Sequence, residues 1–457
     1  MGLVRGNFIM YDLSSEMNDF YENHVRVKQS VYDDLRDKKD TNISRLESGL
    51  DDYNEENETS YSILEVKEQG SVAMATIVQN DEKDYDIDVG IIFDEENIGK
   101  DTGALAAKNI VFDALEEKMG TFNDGPEYKT NCIRIKYSEG YHIDFAIYKK
   151  SGSDYWHAGA EWSKRNPKAI NDWFYDQLQR KGKNLRKVIR LSKMFCKSRT
   201  SWDMPAGLIQ TVLCNECFIN SERLDECFYN TMKRVASRLS YDKEVDNPTD
   251  SSQSLLTRKK DRDRLENFRK RLNDKLQNFS NLKSKKETIA AWHKFFNHDF
   301  WVQASNSLCE SVVAHSDMAC FSNTSRIPGE EFIEDYFEKD LRYDVEIESI
   351  VRANGFIDHS IVDFLRLRRW LPHDKTLIFV ARTNAPKPYE IKWKVRNVGE
   401  EAERRRMLRG QIIDCDRGFY NQRTEHSNFY GPHYVECYVI KDGKCVAEAR
   451  ANVPISR

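Results

Sequence analysis

Two aspartates, Asp86 and Asp88, stand two residues apart in DIDVGIIF, a run otherwise rich in β-branched and apolar residues. Successive side chains of a strand alternate faces, so a strand here sets both carboxylates on one face. The like charges repel, and partial burial is costly unless a cation neutralises them. Hard oxygen ligands of this kind suit Mg²⁺ or Mn²⁺. A third carboxylate, Asp144, lies in HIDFAIY, a later apolar strand pattern. If the two strands are neighbours, the three acids converge on one point. Phosphoryl transfer uses such a point with two metal ions: one activates the attacking hydroxyl, the other stabilises the leaving pyrophosphate. Asp144 is then both a metal ligand and close to the 3′- or 2′-hydroxyl that it helps to deprotonate.

Upstream, Gly70 and Ser71 follow the strand pattern SILEV and precede a helix expected to begin near Val72. A glycine lets backbone amides approach a phosphate closely, and a serine hydroxyl at a helix start adds a donor. Thr76 is placed to support the same turn. A Gly-Ser dipeptide alone is usually only a turn, and an isolated Asp-x-Asp is usually a solvated pair. The order carries the reading: strand, Gly-Ser, Asp-x-Asp within a strand, then Asp within a later strand.

The rest of the chain limits what surrounds that centre. Its 457 residues exceed one typical domain, and 39% apolar content is enough for real cores. A net charge of −5 provides no global field for nucleic acid, so a polyanion would have to meet a local patch. No apolar run is long enough to cross a bilayer, MGLVRGNFIM lacks the features of a secretory signal, and the ten cysteines show no disulfide spacing. A cytoplasmic protein with buried thiols is expected. The first sixty residues read as helical, except for an acidic loop at Asp51–Ser60; IDVGIIF, IRIKY and HIDFAIY read as strands, with a helix near Ala104–Lys118. Trp156 to about Phe300 reads as mainly helical, with Tyr241–Ser254 a loop. A break at Ser322–Gly329 leads to TLIFVART, YEIKWKVRN, HYVECYVI and CVAEARANV, strands with KDGK as a hairpin turn between the last two. The expected fold is α+β: a catalytic unit over residues 1–320, with its sheet at about 60–150 and its helical half at about 155–305, then a smaller β-rich domain over 330–457.

Several other groupings read more plainly. Cys214 and Cys217 form a CxxC with Cys227 nearby, yet LCNECF reads as an apolar helix in which thiols pack as small hydrophobes rather than bind zinc. Cys309, His315 and Cys320 are a looser set of the same kind. The basic stretch Arg258–Lys286 carries Asp261, Asp263, Glu266 and Asp274, which fits a solvated amphipathic helix better than a nucleic-acid surface. His142 shares a strand face with Asp144 and is given no catalytic role. Trp393, Arg396, Asn397, Arg404, Arg405 and Arg406 combine aromatic and guanidinium groups, which suits gripping a nucleotide and equally suits core and surface.

The motif order resembles the polymerase-β-like nucleotidyltransferase superfamily, and its context resembles the bacterial cGAS/DncV-like branch (CD-NTases, or SMODS proteins). YHIDFAIY, WHAGAEWSKRNPKAINDWF, LRKVIRLSKMF and MPAGLIQTVLCNECF carry the likeness over the first 300 or so residues. EEFIEDYFEKDLRYDVEI through HYVECYVIKDGKCVAEAR is similar to the AGS-C sensor domain often fused to such enzymes. The resemblance implies synthesis of a cyclic di- or trinucleotide from nucleoside triphosphates in CBASS-type anti-phage signalling, with a separate effector that the messenger switches on. It implies that Gly70, Ser71 and Lys193 bind nucleotide and that Asp86, Asp88 and Asp144 hold two Mg²⁺ or Mn²⁺ ions. It also implies an activating ligand or partner protein. A synthase of linear oligonucleotides, a toxin-like transferase and a non-catalytic nucleotide sensor are the alternative readings.

Overall fold

The computed structural model describes residues 11–79, 84–119, 125–310, 330–352, 359–360, 371, 375–397, 400–428 and 430–455. The chain divides into two compact units, Met1–Ser316 and Asp317–Arg457. The break at Ser322–Gly329, together with His315 and Cys320, lies outside the described residues.

The first unit opens with α1 (Ser14–Phe20) and the long α2 (Gln29–Asn57). A seven-stranded sheet follows: β1 (Ile63–Gln69), β2 (Asp86–Asp94), β3 (Glu127–Tyr128), β4 (Ile133–Lys136), β5 (His142–Ser151), β6 (Asp154–Ala158) and β7 (Trp162–Lys164). Its order is β1-β2-β5-β4-β3, and β6 extends β5 and pairs with β7. Between β2 and β3 runs α3 (Ala104–Met119). Ile87, Val89, Ile91 and Phe93 of β2 and Ile143, Phe145 and Ile147 of β5 form one core with α2 and α3. These alternate positions are fully buried, as a sheet face packed on helices requires. Helices α2 and α3 touch at Gly49, where a Cβ would lie 1.9 Å from the Ala114 carbonyl oxygen.

The acidic stretch from Asp51 was expected to be a loop; it is the last two turns of α2. Leu50 is buried and Tyr53 packs on the sheet core, so the apolar face continues through the acids, and Lys118 of α3 pairs with Asp52. The helix ends only at Glu58, in the left-handed region at φ 54°. The stretch Tyr241–Ser254 likewise holds a small hairpin, Asp246–Asn247 with Asp250–Ser254, whose turn is tied by the Thr249 amide donating to Asn247 Oδ1 (3.0 Å).

The helical half comprises α4 (Ala169–Lys181), α5 (Asn184–Lys197), α6 (Gly207–Glu216), α7 (Leu224–Tyr241), α8 (Lys259–Leu276), α9 (Lys285–Phe296) and α10 (Asp299–Glu310). Its core is aromatic: Phe195, Phe228, Phe279, Trp292, Phe295, Phe296 and Trp301 pack together with α1's Phe20. The charged helix α8 joins through Leu265, Phe268 and Leu272, while Arg264, Arg269 and Lys275 pair with Asp203, Glu266 and Asp274.

The second unit is a two-sheet sandwich. One sheet has the order β8-β16-β15-β12-β13, from Glu338–Lys339, Lys444–Ile455, Gly431–Lys441, Glu390–Arg396 and Arg409–Asp414. The other has the order β10-β9-β11-β14, from His359–Ser360, Val345–Arg352, Thr376–Thr383 and Gln422–His426. As KDGK predicts, Asp442 and Gly443 turn β15 into β16 with positive φ at both (50° and 73°). Leu377, Phe379, Trp393, Val435, Cys437 and Val439 fill the space between the sheets. Trp393 is wholly buried there, so it is a core residue and offers no stacking surface to a ligand.

Candidate active site

Register sets the acids. β2 and β5 run parallel, with Asp86 opposite His142 and Asp88 opposite Asp144. Ile87 and Ile143 beside them face the core, which commits the acidic face to the opposite side of the sheet. β1 runs antiparallel to β2 with Gln69 opposite Asp88, so the chain leaves β1 at the level of the acids. Gly70 and Ser71 are therefore delivered to the carboxylates by pairing alone.

The turn is tight. Gly70 has φ +67°, and a Cβ on it would lie 1.9 Å from Asp88 Oδ2, so both its backbone and its lack of a side chain are required. One helical turn, Gly70–Ala73, begins there, slightly before the start expected near Val72. The Thr76 amide donates to the Ser71 carbonyl (2.8 Å), and Ala75 adopts φ 51°, which costs about 1 kcal/mol outside glycine. The helical half grips this turn: Asn171 Nδ2 donates to the Glu68 carbonyl (3.0 Å) and the Tyr175 hydroxyl to that of Ala73.

Lys193 of α5 is buried and donates from Nζ to Thr76 Oγ1 (2.8 Å). Burial pulls its pKa down to about 8, against the opposing pull of Asp86. Its neighbours go elsewhere. Arg190 donates to the Tyr21 hydroxyl (2.6 Å) and Lys187 lies 3.6 Å from Glu22. Lys193 is the cation bonded to the Gly-Ser turn's own support.

The electrostatics are lopsided. Burial, with Asp86 and Asp144 next in effect, pushes the Asp88 carboxyl up to about 7. Asp144, in contrast, is held by Arg134 from β4, directly opposite it in register: Nε to Oδ1 and Nη2 to Oδ2, both 2.7 Å. That fork occupies both carboxylate oxygens. Among the described residues no three acidic, histidine or cysteine side chains close around a point as a metal site would. Arg134 competes with a cation for Asp144, since each bonded oxygen offers only its remaining lone pairs to a metal ion. Charge and oxygen chemistry otherwise fit divalent cations, since Asp88 ionises fully near neutral pH only if positive charge arrives beside it.

All six residues singled out in the sequence thus fall into one neighbourhood: Asp88 beside Asp144, Gly70 against Asp88, and Lys193 tied to the turn through Thr76. Arg134 was missed. The alternation in IRIKY places Arg134 and Lys136 on one face, but nothing local says that this face pairs with Asp144. Arg165, exposed just beyond β7, was also missed, and it acts to lower the Asp88 pKa. His142 Nδ1 lies 3.3 Å from Asp84. Cys214, Cys217 and Cys227 are buried; Cys227 donates to the Ile219 carbonyl (3.2 Å), and burial pushes Cys214 to about 12 and Cys227 to about 11. In the second unit the polar groups considered for ligand binding bond their own chain: Arg396 to the Arg409 carbonyl, Asn397 to that of Met407, and Arg404 and Arg405 to Glu401.

Comparison with known proteins joins these observations. Residues 64–148 match the family described as cyclic GMP-AMP synthase DncV-like, nucleotidyltransferase domain, and residues 328–456 match the adenylyl/guanylyl and SMODS C-terminal sensor domain. A cyclic GMP-AMP synthase of Escherichia albertii is 24% identical over 399 residues, 83% of this chain and 81% of that protein. The Vibrio cholerae DncV cyclic AMP-GMP synthase, solved with the linear intermediate pppA(3′,5′)pG, superposes with a TM-score of 0.53 at 16% identity, over 63% of this chain and 97% of that one. The E. coli CdnC of a CdnC:HORMA complex superposes at 0.50 with 15% identity, over 64% and 98%. At these identities the superpositions establish the shared fold: a polymerase-β-type core of mixed α+β structure.

Proposed function

We propose that this chain, a cGAS/DncV-like nucleotidyltransferase with a C-terminal AGS-C sensor domain, joins nucleoside triphosphates into a cyclic di- or trinucleotide messenger for anti-phage signalling. The observation that carries the reading is the contact of Gly70 with Asp88, which puts a phosphate-accepting turn and an under-neutralised carboxylate cluster at one place. The activities of the Escherichia albertii and Vibrio cholerae relatives support the product class.

In this reading the amides of Gly70 and Ser71 hold the triphosphate, and Lys193, positioned by Thr76, adds positive charge on its flank. Asp86, Asp88 and Asp144 would hold Mg²⁺, which when bound supplies positive charge for the triphosphate and lowers the pKa of the attacking hydroxyl. Asp144, freed from Arg134, takes the proton of the 3′- or 2′-hydroxyl. That oxygen attacks the α-phosphorus, the bond to the bridging oxygen breaks, and pyrophosphate leaves. A second attack within the linear product closes the ring. The released Arg134 lies beside the phosphates and contributes charge there. The trigger is read as a ligand or a protein, and CdnC is seen in complex with a HORMA protein.

The test is to incubate the purified chain with the four labelled ribonucleoside triphosphates and Mg²⁺ or Mn²⁺, beside an Asp86→Ala/Asp88→Ala variant. A small phosphatase-resistant product, absent with the variant, is the expected result. A phosphatase-sensitive ladder would replace this reading with linear synthesis, and label retained on a macromolecule would replace it with a toxin-like transferase.

A further inference from the structure

Lys394 and Arg396 of β12 stand on the outer face of their sheet, yet their side chains are only 4% exposed. What covers them is the peptide Glu330–Phe332, which precedes β8. Its backbone is pinned by the Glu331 amide donating to the Gly410 carbonyl (3.1 Å), and its Phe332 ring lies 5.0 Å from Lys394 Nζ. Glu330 inserts its carboxylate among the cations. Lys394 Nζ (3.1 Å) and the Tyr434 hydroxyl (3.2 Å) both donate to Oε1, and Arg396 Nε lies 3.9 Å from Oε2. Arg450 stacks on the Tyr434 ring at 3.4 Å.

We propose that Lys394, Arg396, Tyr434 and Arg450 form a phosphoryl-binding site, and that Glu330 occupies it as the chain's own stand-in ligand. Charge decides the ligand class. Without Glu330, the three cations face one carboxylate, Glu436, which is 2.7 Å from Lys394 and 3.9 Å from Arg450. That leaves a surplus of two charges. A carboxylate such as that of Glu330 cancels one of them. A phosphoryl group carries roughly −1.5 to −2 at neutral pH and matches the surplus. Tyr434 stays protonated, because burial and the carboxylates of Glu436 and Glu330 push its pKa up to about 12. It therefore remains a donor to any oxyanion in the site. A phosphorylated ligand entering here displaces Glu330 and frees the Glu330–Phe332 peptide from the sheet face. The plain alternative is a structural ion pair that closes the edge of the sandwich; such a pair keeps its own carboxylate and has no use for phosphate. This inference does not depend on the activity of the first unit.

The experiment is calorimetric titration of the full chain with inorganic pyrophosphate, in EDTA and low salt so that divalent ions play no part. Glu330→Gln removes the competing charge and keeps the shape. It should bind pyrophosphate at least about tenfold more tightly than the unmodified chain, a change of ~1.4 kcal/mol. Adding Lys394→Gln should abolish that gain. A larger gain for ATP than for pyrophosphate on Glu330→Gln would identify a nucleotide as the source of the phosphate, and equal gains the free anion. Equal gains for citrate and pyrophosphate would overturn the phosphoryl assignment, and an unchanged affinity in Glu330→Gln would overturn the site. If that variant fails to fold, the unmodified chain still decides. Pyrophosphate should speed hydrogen exchange of the Glu331 amide as the peptide leaves Gly410, and no change or slower exchange would overturn the displacement.

Discussion

Around Asp88 the first unit gathers three carboxylates on two parallel strands and answers them sparingly. Arg134 takes Asp144, Arg165 helps from the surface, and Asp88 is still left with a pKa near 7. In the second unit Lys394 and Arg396 are buried at least as deeply, yet Glu330 and Glu436 lie on them. Buried charge is tolerated only where something opposes it. In the second unit the opposing groups are built into the chain. At the carboxylates they are mostly missing, and a cation with a triphosphate is the kind of visitor that would supply them. The contrast separates a centre organised around something that arrives from one that carries its own substitute.

The largest effect should come from removing the unanswered charge. Asp88→Asn should lower nucleotide transfer at least about a thousandfold, roughly 4 kcal/mol. Its folding stability should move the other way. The native carboxyl titrates near 7 and the unfolded one near 3.8. Between those values the native state holds a proton that the unfolded state has lost, so Asp88 makes stability fall as pH rises from about 4 to about 7. In metal-free buffer Asp88→Asn should therefore gain stability relative to the unmodified chain at pH 8 and little at pH 4. Thermal unfolding at the two pH values checks it; equal differences would mean that Asp88 is not the unanswered charge. Gly70→Ala comes next. Its new Cβ would displace the Asp88 carboxylate or the turn, and misplacement on the scale of 1 Å costs about a hundredfold in rate. Lys193→Met should reduce kcat/KM about ten- to a hundredfold, mostly through KM. Because burial lowers the Lys193 pKa to about 8, its charge is present below that pH and lost above it. Triphosphate KM should rise above pH 8 in the unmodified chain and stay flat in Lys193→Arg.

The centre was legible in the sequence because strand period and motif order are local. Asp86 and Asp88 share a face by alternation, and Gly70 precedes them by one antiparallel turn of chain. What escaped was everything that register decides. Arg134 is one of two cations alternating in IRIKY, and only the pairing of β4 with β5 puts it opposite Asp144. Glu330 is one acid in an acidic stretch, and its carboxylate acquires meaning from β12 and β15, far along the chain. The acidic end of α2 misled for the related reason that its helix is dictated by Leu50 and Tyr53 on the core side. Trp393 stayed open because an aromatic beside arginines reads alike whether its ring lines a pocket or, as here, fills the sandwich.

Arg134 gives the finest test, since it is the one built-in answer within the unanswered cluster. If its fork on Asp144 is a brace, Arg134→Ala leaves Asp144 misplaced and metal binding weakens. If the fork holds the third carboxylate back, the same change releases Asp144 and metal binding tightens. The geometry favours the second outcome. Both Asp144 oxygens are committed to the guanidinium, and β5 is fixed by β2 and β4 on either side, so its backbone does not need Arg134. A charge-assisted fork is worth about 1.5–3 kcal/mol at most, and a partly exposed arginine gives less. We expect Arg134→Ala to bind Mn²⁺ about tenfold more tightly, read by electron paramagnetic resonance without nucleotide, and to turn over more slowly because the released guanidinium no longer meets the phosphates. Arg134→Lys should fall between, because an ammonium cannot hold both oxygens in a fork. Weaker Mn²⁺ binding in Arg134→Ala would make the pair a brace, and the carboxylate site would then resemble the cationic cluster of the second unit, with its opposing charge built in.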